Sequence, residues 1–222
     1  MYKSFLKRLI DIFISGIAII VLAIPMLIVT IVIKIDDPGP VLFKQKRVGK
    51  KKNSEITYFM IWKFRSMKMC TPHDVPTHLL ENPEQYITRV GRYIRKTSID
   101  ELPQIYQVFT GKLSCVGPRP ALWSQDDLIA EREKYGANDV KPGITGWAQI
   151  NGRDELEIPV KAKFDGEYAA ALNGGFFKGL SMDMKCFFGT IVSVLKSDGV
   201  VEGGTGELKK QKEKKEEETV VT

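Results

Sequence analysis

Residues 12–33 run for 22 positions without a charge, and only Ser15, Gly16, Pro25 and Thr30 among them are not strongly apolar. A helix of that length, at about 1.5 Å per residue, matches a bilayer core roughly 30 Å thick. Cleavage as a signal peptide does not fit, because Lys34-Ile35-Asp36-Asp37-Pro38 follows the run instead of small residues at a processing site. Two arrangements remain. One is a single spanning helix. The other enters the membrane, breaks at Pro25, where a helical hydrogen bond is lost, and returns to the side it came from. Lys3, Lys7 and Arg8 precede the run, and Lys34, Lys44, Lys46, Arg47 and Lys50, Lys51 and Lys52 follow it. With both flanks basic, the positive-inside bias orients no span, and it is met when both ends are cytoplasmic.

The chain has 222 residues and a formal charge of +6. From Glu207 onward five Lys balance five Glu, so the excess sits on the body. That favours an anionic partner such as lipid headgroups or phosphates. Nucleic acid is excluded as the partner, since the cations are not interleaved with an aromatic recognition surface. Cys70, Cys115 and Cys186 are scattered and form no CxxC, which points to reduced thiols. Cys70, His73 and His78 lack a fourth ligand for zinc.

Asp36-Asp37-Pro38-Gly39-Pro40 ends the apolar segment with a turn. Residues 41–49 and 56–65 read as two strands joined by the basic stretch Lys50, Lys51 and Lys52, a hairpin whose tip suits anionic headgroups. Residues 67–83, with Pro72, Pro76 and Pro83, form a long polar loop. A helix is expected over 84–94. A second covers 124–135, with Ser124 as N-cap and Gly136 just past its end, and serves only as scaffold. Residues 140–153 make a glycine-punctuated loop whose Trp147, Gln149, Asn151 and Arg153 can stack on or hydrogen-bond a nucleotide, or form a turn around a buried Trp. A helix over 181–196 carries apolar residues at helical spacing, with Asp183 in its first turn. The Lys- and Glu-rich residues after Gly204 have almost nothing to bury and are expected to be disordered.

The stretch Arg95-Lys96-Thr97-Ser98-Ile99-Asp100-Glu101-Leu102-Pro103 admits two accounts. In one, Thr97 or Ser98 caps a helix, Asp100 or Glu101 completes a capping box, and both carboxylates are surface residues offsetting the helix dipole. In the other, two adjacent carboxylates divide nucleophilic and proton-handling work, while Arg95, Lys96 and the proline-bracketed Arg119 supply positive charge for a phosphate substrate and a divalent ion. Both accounts fit these residues.

Six ordered blocks carry a resemblance: Lys-Arg-Leu-Ile-Asp at 7–11 ahead of the apolar run, Trp62-Lys63-Phe64-Arg65-Ser66-Met67, residues 95–103, Gly117-Pro118-Arg119-Pro120, residues 141–153, and Met182-Asp183-Met184-Lys185. Together, over about residues 3–200, the chain resembles the bacterial sugar transferases, and within them the monotopic polyprenyl-phosphate phosphoglycosyl transferases. The resemblance implies transfer of a sugar 1-phosphate from a UDP-sugar to undecaprenyl phosphate with release of UMP, at the cytoplasmic face of the inner membrane. It implies Asp100 as the nucleophile that forms a phosphosugar-aspartyl intermediate, Mg²⁺ on Asp100 and the diphosphate, and Glu101 as an aid to activating the polyprenyl phosphate. Arg119 and Arg95 would hold phosphates, with Lys63 and Asp183 as further site residues. The 67–83 loop matches no part of the pattern, so no sugar preference transfers through it.

The resulting expectation is an α+β, mainly helical, monotopic membrane protein in three parts. Residues 1–36 form a re-entrant hairpin broken at Pro25, 37–201 a small cytosolic catalytic domain with a short β-hairpin, and 202–222 a disordered tail. Both termini are cytoplasmic, inner-membrane lipid is a partner, and a homodimer is left open. The competing account is a non-enzymatic single-span anchor carrying a basic interaction domain.

Overall fold

The charge-free run lies inside α1, Lys7–Asp36, a 30-residue helix preceded by one π-helical turn, Tyr2–Leu6. It is seen in a computed structural model that describes residues 2–71, 83–152 and 156–195. The interruption expected at Pro25 is absent: the helix continues through it with Pro25 inside. A proline forfeits one backbone hydrogen bond and bends a helix without ending it when the flanking turns are strongly helical. Lys7, Asp11, Ser15, Met26 and Ile33 are the buried residues of α1, and their spacing places them on one stripe. The remaining surface is apolar and exposed, with Phe13, Ile17, Ile20, Val21, Ile24, Leu27, Ile28 and Ile31 among it. Among the described residues α1 is the one helix long and apolar enough to cross a membrane.

Both ends of α1 are tied to the same body. Near the start, Lys7 pairs with Asp183 at 2.7 Å. Arg8 donates to the carbonyls of Val108 and Phe109 at 2.6 and 2.7 Å, satisfying the C-terminal end of α3, Gln104–Phe109. At the far end, the N–H of Val90 donates to Asp36 at 3.0 Å, and Arg65 pairs with Asp37. Met26 and Ile33 pack with Phe64 and Ile94, while Leu6 and Ile10 pack against a separate group containing Tyr168, Ala169 and Leu172.

The expected hairpin is present as β1, Leu42–Val48, antiparallel to β2, Tyr58–Phe64, with Phe43 opposite Lys63. Lys44 and Lys46 lie on the exposed face of β1, where exposure alternates along the strand. The helix expected over 84–94 is instead a 3-10 turn, Pro83–Tyr86, followed by α2, Arg89–Lys96, because Thr88 caps α2 by accepting from the N–H of Gly91. A parallel pair follows, β3 at Ser114–Val116 and β4 at Gly143–Thr145, with α4, Asp126–Glu133, between them. Gln125, without a side-chain cap bond, precedes α4 in place of the expected Ser124, and Gly136 adopts the left-handed conformation past its end. The chain closes with α5, Trp147–Ile150, α6, Ile158–Asn173, and α7, Phe176–Leu195.

Most of the 67–83 loop, both histidines, Arg153 and the C-terminal tail lie outside the described residues.

Candidate active site

The capping-box account of residues 97–101 fails on geometry. Ser98 takes a left-handed conformation, φ 55°, and neither it nor Pro103 makes a side-chain cap bond. A left-handed serine costs about 1 kcal/mol and reverses the chain between α2 and a 3-10 turn, Ile99–Glu101. That turn drives Asp100 inward to 3% exposure, whereas a dipole-compensating carboxylate would remain in water.

Lys63 meets the turn from β2. Its Nζ stands 3.0 Å from Glu101 Oε1 and 3.6 Å from Asp100 Oδ2. The strand is held against α3 by Gln107, which is 1% exposed: its Oε1 accepts from the N–H of Trp62 at 2.9 Å and its Nε2 donates to the carbonyl of Met60 at 2.6 Å. One buried amide thus replaces a strand partner on both sides of Ile61 and fixes where Lys63 emerges. Arg119 approaches from the segment after β3 and contacts Glu101 with Nη2 at 2.8 Å and Nη1 at 3.4 Å.

Burial resists charge on Glu101, but the Arg119 and Lys63 cations outweigh it and hold the carboxyl well below the usual glutamate range. The geometry of Glu101 suits a counter-ion that holds Arg119 and Lys63, the latter 3.6 Å from Asp100. Cations so placed also lower the electrostatic barrier to a carboxylate meeting a phosphate.

Three glycines join the two remaining motifs. A Cβ on Gly117 would lie 2.4 Å from the Lys141 carbonyl, one on Gly143 2.1 Å from the Gly117 N, and one on Gly146 2.2 Å from the Gly117 carbonyl. The Gly117-Pro118-Arg119-Pro120 segment and the 141–150 segment therefore touch backbone to backbone. Gln149 sits at this junction with both amide atoms buried and without a hydrogen-bond partner. Trp147 is only half-buried and donates to Glu167 at 2.9 Å.

Arg95, half-buried, ends α2, and its carbonyl accepts from the N–H of Ser98 at 3.1 Å, which places it directly before the turn. Asp183 is set apart from this group. It lies eight residues into α7, 8% exposed, and receives Tyr2 and Lys7 on Oδ2 and Tyr168 on Oδ1. The helix begins at Phe176, earlier than the sequence suggests, and Gly179 within it leaves room for the Tyr2 ring. Asp11 forms a second internal anchor, accepting from Ser114 Oγ at 2.8 Å and from the Cys115 N–H at 2.9 Å. The residues missed in the sequence were Asp11, as an anchor, and Gln107. Lys7 and Asp11 stood in a quoted block, but nothing local marks their partners.

Among the described residues no three His, Cys, Asp or Glu side chains cluster as a metal cage. One carboxylate beside bound phosphates is a common Mg²⁺ arrangement, and Asp100 fits it.

A sequence model of the family described as bacterial sugar transferase matches residues 2–197. The chain is 40% identical over 200 residues to the exopolysaccharide production protein PSS of Rhizobium leguminosarum bv. phaseoli, covering 86% of this chain and 95% of that one. It is 38% identical over 195 residues to the sugar transferase EpsL of Bacillus subtilis, covering 88% and 90%. Against the UDP-glucose:undecaprenyl-phosphate glucose-1-phosphate transferase of Escherichia coli K12 the identity is 38% over 176 residues. That match covers 73% of this chain but 36% of the relative, so the chain spans about a third of its length.

Proposed function

The chain belongs to the bacterial sugar transferase family, and from that membership and the site geometry we propose that it transfers a sugar 1-phosphate from a UDP-sugar to undecaprenyl phosphate. The observation that carries this reading is Asp100, buried beside Glu101 with Lys63 and Arg119 at the same turn. A relative's name supplies the donor and acceptor classes.

In the first step Asp100 attacks the β-phosphorus of the UDP-sugar, a P–O bond to Asp100 forms, and the bond to the bridging oxygen breaks as UMP leaves. In the second, an oxygen of the polyprenyl phosphate attacks the same phosphorus, a diphosphate forms, and the Asp100 carboxylate is released. Glu101 orients Lys63 and Arg119 throughout, and Arg95 stands ready for phosphate oxygens. Asp100 would hold Mg²⁺ together with the diphosphate, and the ion would neutralise phosphate charge.

We also propose that α1 enters one leaflet and returns, with Pro25 at its bend, on the cytoplasmic face of the inner membrane. The support is that Lys7 and Asp36 both bind the same body. A single span would separate them by a bilayer.

The test uses the full chain in detergent with Mg²⁺, undecaprenyl phosphate and UDP-glucose, UDP-galactose or UDP-N-acetylgalactosamine. UMP release, with a sugar phosphate on the peptide containing Asp100 and neither in Asp100→Asn, is the expected result. Folded protein that releases no UMP from any donor supports the non-enzymatic anchor instead.

A further inference from the structure

The Gly117-Pro118-Arg119-Pro120 segment poses a problem of attachment. Pro118 and Pro120 have no N–H, so the backbone that carries Arg119 has few donors and must be fixed through its carbonyl oxygens. The fold supplies a donor to each in turn. The N–H of Gly143 reaches Pro118 O at 3.0 Å, Arg132 Nη2 reaches Arg119 O at 2.9 Å, Arg47 Nη1 reaches Pro120 O at 3.1 Å, and the N–H of Val48 reaches Ala121 O at 2.9 Å.

Two of these donors are arginine side chains from distant elements. Arg132 is 4% exposed in α4, and its Nε and Nη2 donate to Oδ2 of Asp165 in α6, 0% exposed, at 2.8 and 2.6 Å. Such a pair is costly to desolvate and gives little net stability over an apolar pair of the same size. It does fix the guanidinium plane, and that plane delivers the third bond to Arg119 O. Lysine in its place keeps a charge for Asp165 but has no planar fork to serve both acceptors.

We propose that Arg132, aimed by Asp165, and Arg47 are positioning residues that set the direction of Arg119 and with it the Arg119–Glu101 contact. This rests on the phosphoryl-transfer reading for its kinetic arm only, since that contact is measurable without turnover.

The first arm is a double-mutant cycle on the unfolding midpoint of the full chain in detergent near neutral pH, with wild type, Arg132→Lys, Arg119→Ala and the double variant. When Arg132 aims Arg119, part of the loss in Arg132→Lys is the Arg119–Glu101 contact, so Arg132→Lys lowers the midpoint less in the Arg119→Ala background than in wild type. Equal losses in both backgrounds overturn the proposal.

The second arm is a double-mutant cycle on UMP release from UDP-glucose, UDP-galactose or UDP-N-acetylgalactosamine. Arg132→Lys is expected to lower kcat/KM roughly ten- to hundredfold, the scale of a displacement of about 1 Å at a reacting site. In an Arg119→Ala background it lowers it less than about twofold, because two changes acting through one group are not additive. Full additivity overturns the proposal. If wild type releases no UMP, the proposed function fails and the unfolding cycle alone decides the positioning.

Discussion

Arg119 and Glu101 meet through both guanidinium amines, Nη2 at 2.8 Å and Nη1 at 3.4 Å. Burial opposes the charge on Glu101, and Arg119 with Lys63 overcomes it. A carboxyl whose value is lower in the folded state contributes stability above its unfolded value, near pH 4.5, and loses it as pH falls through the folded value. Glu101→Gln lacks that dependence. Near neutral pH it should unfold about 2 kcal/mol more easily than wild type, and the gap should narrow between about pH 5 and about pH 3. Denaturant titrations across that range check it, and a gap independent of pH would count against the assignment.

Lys63 faces both carboxylates from β2. Replacing it by methionine keeps the stem but removes the cation that stands with Asp100 towards an anionic substrate. UMP release is expected to drop about a hundredfold or more, with a much smaller change in unfolding midpoint. A loss of stability with unchanged turnover would make Lys63 structural.

Asp183 behaves oppositely. Its three partners, Tyr2, Lys7 and Tyr168, are internal, so Asp183→Ala leaves a buried ammonium without its carboxylate and should cost roughly 3–5 kcal/mol. Tyr2→Phe should cost about 1 kcal/mol. At a temperature where each variant is folded, kcat is expected to remain within a few-fold of wild type. A specific collapse of kcat in Tyr2→Phe would tie this cluster to catalysis.

The thiols offer a simple check on burial and topology. Burial, with Asp11 next in effect, pushes Cys115 up to about 12, and burial with Asp183 does the same for Cys186. Only exposed Cys70 should react with a maleimide at neutral pH. In a Cys70→Ser background, cysteines placed at Lys3 and at Lys52 should both react from the cytoplasmic side. Opposite-sided labelling would indicate a span.

What the sequence made legible was local. The apolar run, the two strands of the hairpin and the helix end at Gly136 all follow from neighbours within a few residues. Asp100 and Glu101 were ambiguous because a capping box and a reactive turn share one pattern, and the conformation of Ser98 with the burial of Asp100 separates them. Arg132 stands in Glu131-Arg132-Glu133-Lys134, which looks like any solvated helix face. Its burial depends on Asp165, in a helix that no pattern had announced. The contacts of Asp183 were hidden for the same reason: a charge is explained by its partners, and these stand at positions 2, 7 and 168.

The separation between Tyr2 and Asp183 is 181 residues, and between Lys7 and Asp183 176. α1 is synthesised before α7, so the carboxylate that secures it emerges long after the helix itself. The apolar helix therefore precedes its polar anchors, leaving Lys7 and Asp11 to hydration until β3 and then α7 are complete. Shortening the chain ahead of α7 would free α1, so the earlier helix is the later one to be locked in place.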